Sequence, residues 1–451
     1  MEQILISGAN IVNEGRIFEG SILIKGDRIE EIIPGGSYNH IPGNLENIEL
    51  IDGRGKFLLP GVIDDHVHFR DPGLTHKGDL YTETKAAVAG GVTSFMDMPN
   101  TYPKATTLRI LEEKYELASR KAFANYSFFL GASNENIEEI EKADFSKICG
   151  VKVFLGASTG NMLVDDPGVL EKIFSNSKIL IAIHGEDEKI IQNNLNAFRE
   201  EYGDQIPAEA HPLIRSEEAC FASTNRAVEL ALRLNTRLHV LHLSTAKELN
   251  LFQNSIPLNK KQITAEVCVH HLWFDDRDYT RLGSRIKWNP AIKTEKDKNE
   301  LFKGLLEDKI DIIATDHAPH LEEEKSRPYL SCPSGGPLIQ HSLVIMLEFF
   351  HMKMISIEKI VEKMCHAPAV LYRIKDRGFI RKGYFADFVL ADLNAPWTVS
   401  KENLLYKCGW SPFEGTKFSS HISHTFVNGN LVYKNGNFDE RHRGKRLEFN
   451  P

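Results

Sequence analysis

Cysteine is scarce in this chain and poorly placed for cysteine chemistry. Its six thiols (Cys149, Cys220, Cys268, Cys332, Cys365, Cys408) are scattered over 451 residues and form no C-x-x-C pair. That argues against a disulfide framework, a dithiol redox centre and a cysteine-rich zinc module. Reduced, mostly buried thiols in a cytoplasmic protein are the simplest expectation. No apolar run is long enough to span a bilayer, so no membrane role is expected. The opening MEQILISGANIVNEG lacks the basic start and continuous apolar stretch of a secretory signal. Excess positive charge is lacking too. A net charge of −8 gives no support to nucleic acid or an acidic membrane as the partner, although it allows a local cationic pocket. No G-x-G-x-x-G follows a first strand, which weakens a dinucleotide-binding reading.

What is present is the composition of a soluble globular protein, with 42% hydrophobic and 26% charged residues. The length suits one large domain and one smaller one. Both ends of the chain read as short strands: ILISGANIVN and SILIKGDRIEEII at the start, GFIRKGYFADFVLADLN and HTFVNGNLVYKNGNF at the end, the last with two Asn-Gly hairpin signals. Residues 1–56 and 378–451 are therefore expected to build one small β-sandwich domain. The middle, 57–377, alternates strand-like runs (FLLPGVID, VTSFMDMP, ANYSFFLGA, GVKVFLGA, KILIAIHG, RLHVLHLS, QITAEVCVH, DIIATDH) with helix-like ones, of which SEEACFASTNRAVELALRLN is the clearest. Eight such strands predict an α/β fold, a (β/α)8 barrel, with an open doubly wound sheet as the alternative.

In a barrel, chemistry gathers at the carboxyl ends of the strands. Read in order, those ends carry His66 and His68, Asp97 and Asn100, Lys152, His184, His242, Glu266 with His270 and His271, and Asp316 with His317. His66 and His68 stand two apart, so in a strand both face the same way and can grip one metal ion. If the strand continues, Arg70 joins them. Alone, H-x-H is as well explained by two surface histidines, and His184 or His242 by hydrogen-bonded core residues. Together they make a candidate ligand layer. His239 lies at an odd offset from His242 and is read as structural. Lys152, between valines, is either half of a buried ion pair or a neutral amine that has captured carbon dioxide, whose carbamate would present two oxygens to two metals. Asp316 closes its strand where a carboxylate could take a proton from an activated water. Asp64 and Asp65 either hold an imidazole from behind or cap a turn.

The stretches DDHVHFRDPG (64–73), GGVTSFMDMPNTYP (90–103), GVKVFLG (150–156), IHGED (183–187), VLHLST (240–245), EVCVHHL (266–272), KWNPAIK (287–293), ATDHAPH (314–320) and EEEKSRP (322–328) resemble, in order, those of the cyclic amidohydrolases, and the dihydroorotase family in particular. The resemblance implies two Zn2+ per chain, bridged by hydroxide and a carboxylated Lys152. His66, His68 and Asp316 would hold one metal and His184 and His242 the other, and Asp316 would shuttle the proton. It implies that Arg70, Asn100 and His320 hold a substrate carboxylate, which suits a planar cationic fork, and that Asn289 contacts the ring amide. The implied reaction is reversible hydrolysis of dihydroorotate to N-carbamoyl-aspartate, in pyrimidine synthesis. The partner is then a small carboxylate-bearing molecule, with a homodimer left open. One departure stands out: SGGPLIQHS (334–342) puts Gln340 where family members carry a glutamate. The rivals are an allantoinase or dihydropyrimidinase, which would share every metal ligand, and a non-catalytic scaffold, which would typically have lost some of them. The charged stretch 320–333 reads as a mobile loop over the site.

Overall fold

The computed structural model describes residues 3–35, 48–156, 162–176 and 178–450. The apolar runs of the middle segment form strands that pair in parallel around a ring. They are Val62–Val67, Val92–Asp97, Asn125–Phe128 continued by Leu130–Gly131, Val151–Phe154, Ile181–His184, Leu238–Val240, Ile263–Cys268 and Ile312–Ala314. Each pairs in parallel with the next. A parallel bridge from Val67 to His317 brings the last strand's end back to the first. Because the ends meet, the open-sheet alternative falls and the fold is the (β/α)8 barrel.

Local chemistry sets the helices between strands. Glu217–Leu234 starts at Ser216, whose hydroxyl accepts from the Ala219 N–H, and ends at Asn235 in the left-handed conformation. Such an N-cap contributes about 1 kcal/mol. Its buried stripe (Ala219, Cys220, Ala227, Val228, Ala231) is mostly of small residues, which let the helix approach the barrel closely.

The two ends of the chain share one sheet. Gln3–Asn13 pairs with Arg16–Lys25, Ile48–Asp52 and Phe57–Pro60. Phe388–Asp392 pairs with Phe57–Pro60 on one side and His421–Val427 on the other. Both Asn-Gly pairs make the hairpins expected of them: Asn428, Gly429, Asn435 and Gly436 all have positive φ. Ile4, Ile6, Ile22, Leu58, Phe388 and Phe426 form a buried cluster drawn from both ends of the chain.

The run FLLPGVID is two strands rather than one. Phe57–Pro60 belongs to the terminal sheet and Val62–Val67 to the barrel. The break falls at Gly61, where an added Cβ would lie 2.0 Å from Thr93 Oγ1. Nearby, Arg377 pairs with Asp387 in a buried cluster. Asn428 accepts from Arg377 (2.8 Å) and donates to Asn125 (2.8 Å) on a barrel strand. Removing one partner from a buried pair typically costs about 3–5 kcal/mol, so the cluster ties the sheet to the barrel firmly. The strand that leaves Gly61 is the one that delivers His66.

Candidate active site

Val62–Val67 carries His66 as its penultimate residue, and the chain then turns. The His68 N–H donates to the His317 carbonyl (2.7 Å) and the Phe69 N–H to Asp97 Oδ1 (2.8 Å). Asp97 is itself fixed by buried Lys114 (2.7 Å). Arg70 has a φ of +66°, so it reaches the site through this turn and not by continuation of the strand. The periodicity argument fails there because the strand stops one residue before His68.

His66 Nε2 and His68 Nε2 converge on one oxygen of Asp316, at 3.2 and 3.1 Å. These three side chains offer ligand atoms close enough to share a metal ion. Behind them, Glu266 accepts from His66 Nδ1–H (2.9 Å), which orients Nε2 toward Asp316. Glu266 also accepts from the backbone N–H of His242 (3.0 Å), a residue with φ +40°. Asn100 Oδ1 lies 2.7 Å from His68 Nδ1 and fixes that ring in the same way.

Across the pocket, His184 Nδ1 lies 2.9 Å from His242 Nε2. The other nitrogen of His184 bonds Glu186 (2.8 Å), which is gripped by Arg215. The proton therefore sits on the Glu186 side and the Nδ1 lone pair faces His242. Burial holds both rings below the ordinary imidazole range, further helped for His242 by the neighbouring His184 and His66, so lone pairs are available. His66 behaves differently: burial pulls it down, but Glu266 and Asp316 outweigh that and raise it. Lys152 is buried between these groups, and desolvation brings its amine down to about 7. An amine so placed is substantially neutral at physiological pH, as carbamate formation requires.

His66, His68, Arg70, Asn100, Lys152, His184, His242, Asn289 and Asp316 all line one cleft, with Phe154, Trp288, Ser334 and Gly335 completing the wall. His320 stands just behind it, 3.0 Å from Arg70. His239 stays out of the cleft, bonding Thr264 (2.9 Å). Neither Asp64 nor Asp65 touches a cleft imidazole. Asp64 accepts from the Thr315 hydroxyl (2.7 Å), and burial raises it to about 8, while Asp65 accepts from Tyr372 (2.7 Å).

Arg70 is buried and, among the described residues, has no carboxylate partner. Its Nε donates to the Pro319 carbonyl (3.1 Å). Its Nη2 points at His320 Nε2, while Lys77 Nζ points at His320 Nδ1 (3.1 Å). His320 Nε2 also faces the Ser334 carbonyl (3.1 Å), so the ring proton sits there, Nδ1 accepts from Lys77, which pairs with Glu324 as well (2.8 Å), and Arg70 Nη2 is the cation that meets a ring N–H. The missing acceptor is what an incoming anion would supply. Burial lowers Arg70 only to about 10, so it stays charged at neutral pH.

Sequence reading gave no role to Glu186, Arg215 or Lys77: Glu186 lies in IHGED, two residues from His184, but its partner Arg215 and the Lys77–His320 pair are distant in the chain. The stretch 320–333 also differs from expectation. It is tied down by buried lysines: Lys325 donates to the Pro333 carbonyl (2.9 Å), and Lys287 to those of Tyr329 (2.7 Å) and Cys332 (2.6 Å). Its charge count suggested a solvated loop, yet two of the ammonium groups that govern it are capped by carbonyls. Gln340 points away from the cleft, bonding Asn403 and Leu405 backbone groups, so the departure at that position leaves the wall untouched. Gly335 and Gly336 shape that wall. A Cβ at Gly336 would sit 2.7 Å from the Trp288 ring.

A closed parallel barrel with imidazoles, a buried lysine and an aspartate around one cleft has the architecture of a metal-dependent hydrolase. The chain belongs to the amidohydrolase family, whose model matches residues 57–432. It is 32% identical to a dihydroorotase of Pyrococcus abyssi over 99% of this chain and 98% of that one. Identity to a dihydroorotase of Pyrococcus furiosus is 33%, over 99% and 96%. Among solved structures, an L-hydantoinase of Arthrobacter aurescens superposes with a TM-score of 0.89 at 25% identity, covering 97% of this chain and 98% of that one. No helix among the described residues is long and apolar enough to cross a membrane.

Proposed function

We propose that this protein catalyses the dihydroorotase reaction, the reversible hydrolysis of the ring amide of dihydroorotate to N-carbamoyl-aspartate, in de novo pyrimidine synthesis. The observation that carries the choice of substrate is Arg70, a buried cation with no carboxylate partner among the described residues, whose Nη2 faces the protonated nitrogen of His320. A ring carboxylate supplies the missing acceptor. Asn289 Oδ1, buried without a hydrogen-bond partner, is then the acceptor for a ring N–H. Hydantoinase-type substrates lack such a carboxylate.

The donor set fits two Zn2+ ions. Two clusters of converging imidazole nitrogens flank a buried amine held near neutrality, with Asp316 on one side. His66, His68 and Asp316 would hold one ion, His184 and His242 the other, and carboxylated Lys152 would bridge them. When bound, the ions supply Lewis acidity to the amide carbonyl and to the attacking water. The chain's own residues do the rest. Arg70, Asn100 and His320 fix the carboxylate end and Asn289 the amide end of the ring. Asp316 takes a proton from the water as its oxygen adds to the carbonyl carbon. It returns that proton to nitrogen as the C–N bond breaks, which balances the hydrolysis. Reduced, unpaired thiols throughout suit a cytoplasmic setting.

The direct test is turnover of dihydroorotate, allantoin and dihydrouracil by protein of measured zinc content. Cleavage of dihydroorotate well above the other two is expected, and brisk allantoin cleavage without it would overturn the reading. A second test addresses Lys152. With its amine at about 7, reactivation of metal-free protein by Zn2+ at a fixed concentration of dissolved carbon dioxide should be faster at pH 8 than at pH 6, because only the neutral amine captures carbon dioxide. A reactivation rate independent of carbon dioxide would rule out the carbamate.

A further inference from the structure

The strand Ile263–Cys268 ends in Cys268, and the turn that follows brings round His270 and His271. None of the three lines the cleft. All three are buried, and each offers a ligand atom within 4.8 Å of the others. We propose that Cys268, His270 and His271 form an additional cation site of the zinc class, behind the cleft wall, sharing no ligand with the proposed hydrolytic centre but linked to His66 through Glu266.

Three observations carry this. Both ring nitrogens of His270 and Nδ1 of His271 are buried without a hydrogen-bond partner among the described residues. Buried polar atoms are very largely satisfied in native proteins, so three orphans in one cluster ask for an occupant. Next, His271 Nε2 faces the Pro290 carbonyl at 3.3 Å. A carbonyl only accepts, so the ring proton sits on Nε2 and the Nδ1 lone pair is turned into the cluster. That is the arrangement by which proteins orient ligating histidines. Finally, Cys268 Sγ lies 3.2 Å from Glu266 Oε1. The thiol donates to that carboxylate, which leaves the sulfur lone pairs for the cluster and sets an acceptor beside the proton that an incoming ion would displace. One thiolate with two neutral imidazoles is a donor set for Zn2+ and similar borderline ions.

The position gives such an ion a structural purpose. The His270 ring stacks on Trp288 at 4.5 Å between centroids and 20° between planes, and Trp288 and Asn289 form part of the cleft wall. An ion here would brace that wall without touching substrate.

The test uses cobalt. The full chain is expressed with Co2+ replacing Zn2+, so that buried ligands load as the protein folds. The proposed hydrolytic ligands are nitrogen and oxygen only. A thiolate-to-cobalt charge-transfer band in the near ultraviolet can therefore arise from a cysteine site alone. The wild-type protein should show the band, and cobalt per chain should drop by one equivalent, with loss of the band, in both Cys268→Ser and His270→Gln. A wild-type protein with no band overturns the inference, and that is the result expected if a buried water fills the cluster. A band that survives His270→Gln also overturns it, by placing the thiolate among other ligands. The wild-type measurement needs no variant to fold. Failure here is separable from failure of the proposed reaction: active protein without the band sinks only this site, and a band in protein inactive on dihydroorotate sinks only the reaction.

Discussion

Asp316→Asn should lower kcat for dihydroorotate by about 10²- to 10⁴-fold, the usual contribution of a positioned acid–base group. The substitution keeps the shape of the side chain, and Asn is among the residues that tolerate the left-handed backbone at this position, where φ is +49°. Thermal stability should therefore change little. What is lost is the carboxylate that His66 Nε2 and His68 Nε2 both approach. Burial opposes ionisation of Asp316, yet the two imidazoles outweigh it and hold the carboxyl below its ordinary range. Asp316 is thus ionised across the neutral range and ready to accept a proton. Asparagine cannot do so at any pH. The measurement is kcat and KM with zinc quantified per chain, since the same residue is a candidate ligand. A loss under tenfold, or one confined to KM in fully loaded protein, would remove Asp316 from the proton path.

Arg70→Met should cost roughly 150-fold in kcat/KM for dihydroorotate, from about 3 kcal/mol for a truncated buried charge contact. Zinc content should be unchanged. The pairing of those two readouts matters, because Arg70 follows the two histidines so closely in sequence that a ligand role is the natural rival. The same variant should lose little against dihydrouracil, which has no carboxylate for the guanidinium to meet. Zinc loss comparable to that of His66→Ala would merge the ligand and substrate roles that the geometry keeps apart.

Much of the site could be read along the chain. A strand alternates its side chains, so histidines at its carboxyl end advertise themselves one strand at a time, and His66, Lys152, His184, His242 and Asp316 were all legible in this way. The eight apolar runs and the Asn-Gly hairpins were legible for a similar reason, since pairing and turn chemistry are short-range. Arg70 was found for a reason that proved partly wrong, because the strand gives way to a turn held by Asp97 and Lys114.

Sequence by itself determined the barrel class, the strand ends and the kinds of group that gather there, because periodicity and residue chemistry act locally. Tertiary structure alone decided how the ring nitrogens are oriented, that Glu266 backs His66, that Glu186 and Arg215 orient His184, and that Arg70 is buried with no carboxylate partner among the described residues. It also decided that the segment 320–333 is pinned by buried lysines. Hydrogen-bond direction and desolvation depend on atoms brought together from distant parts of the chain, and no local pattern of residues encodes them.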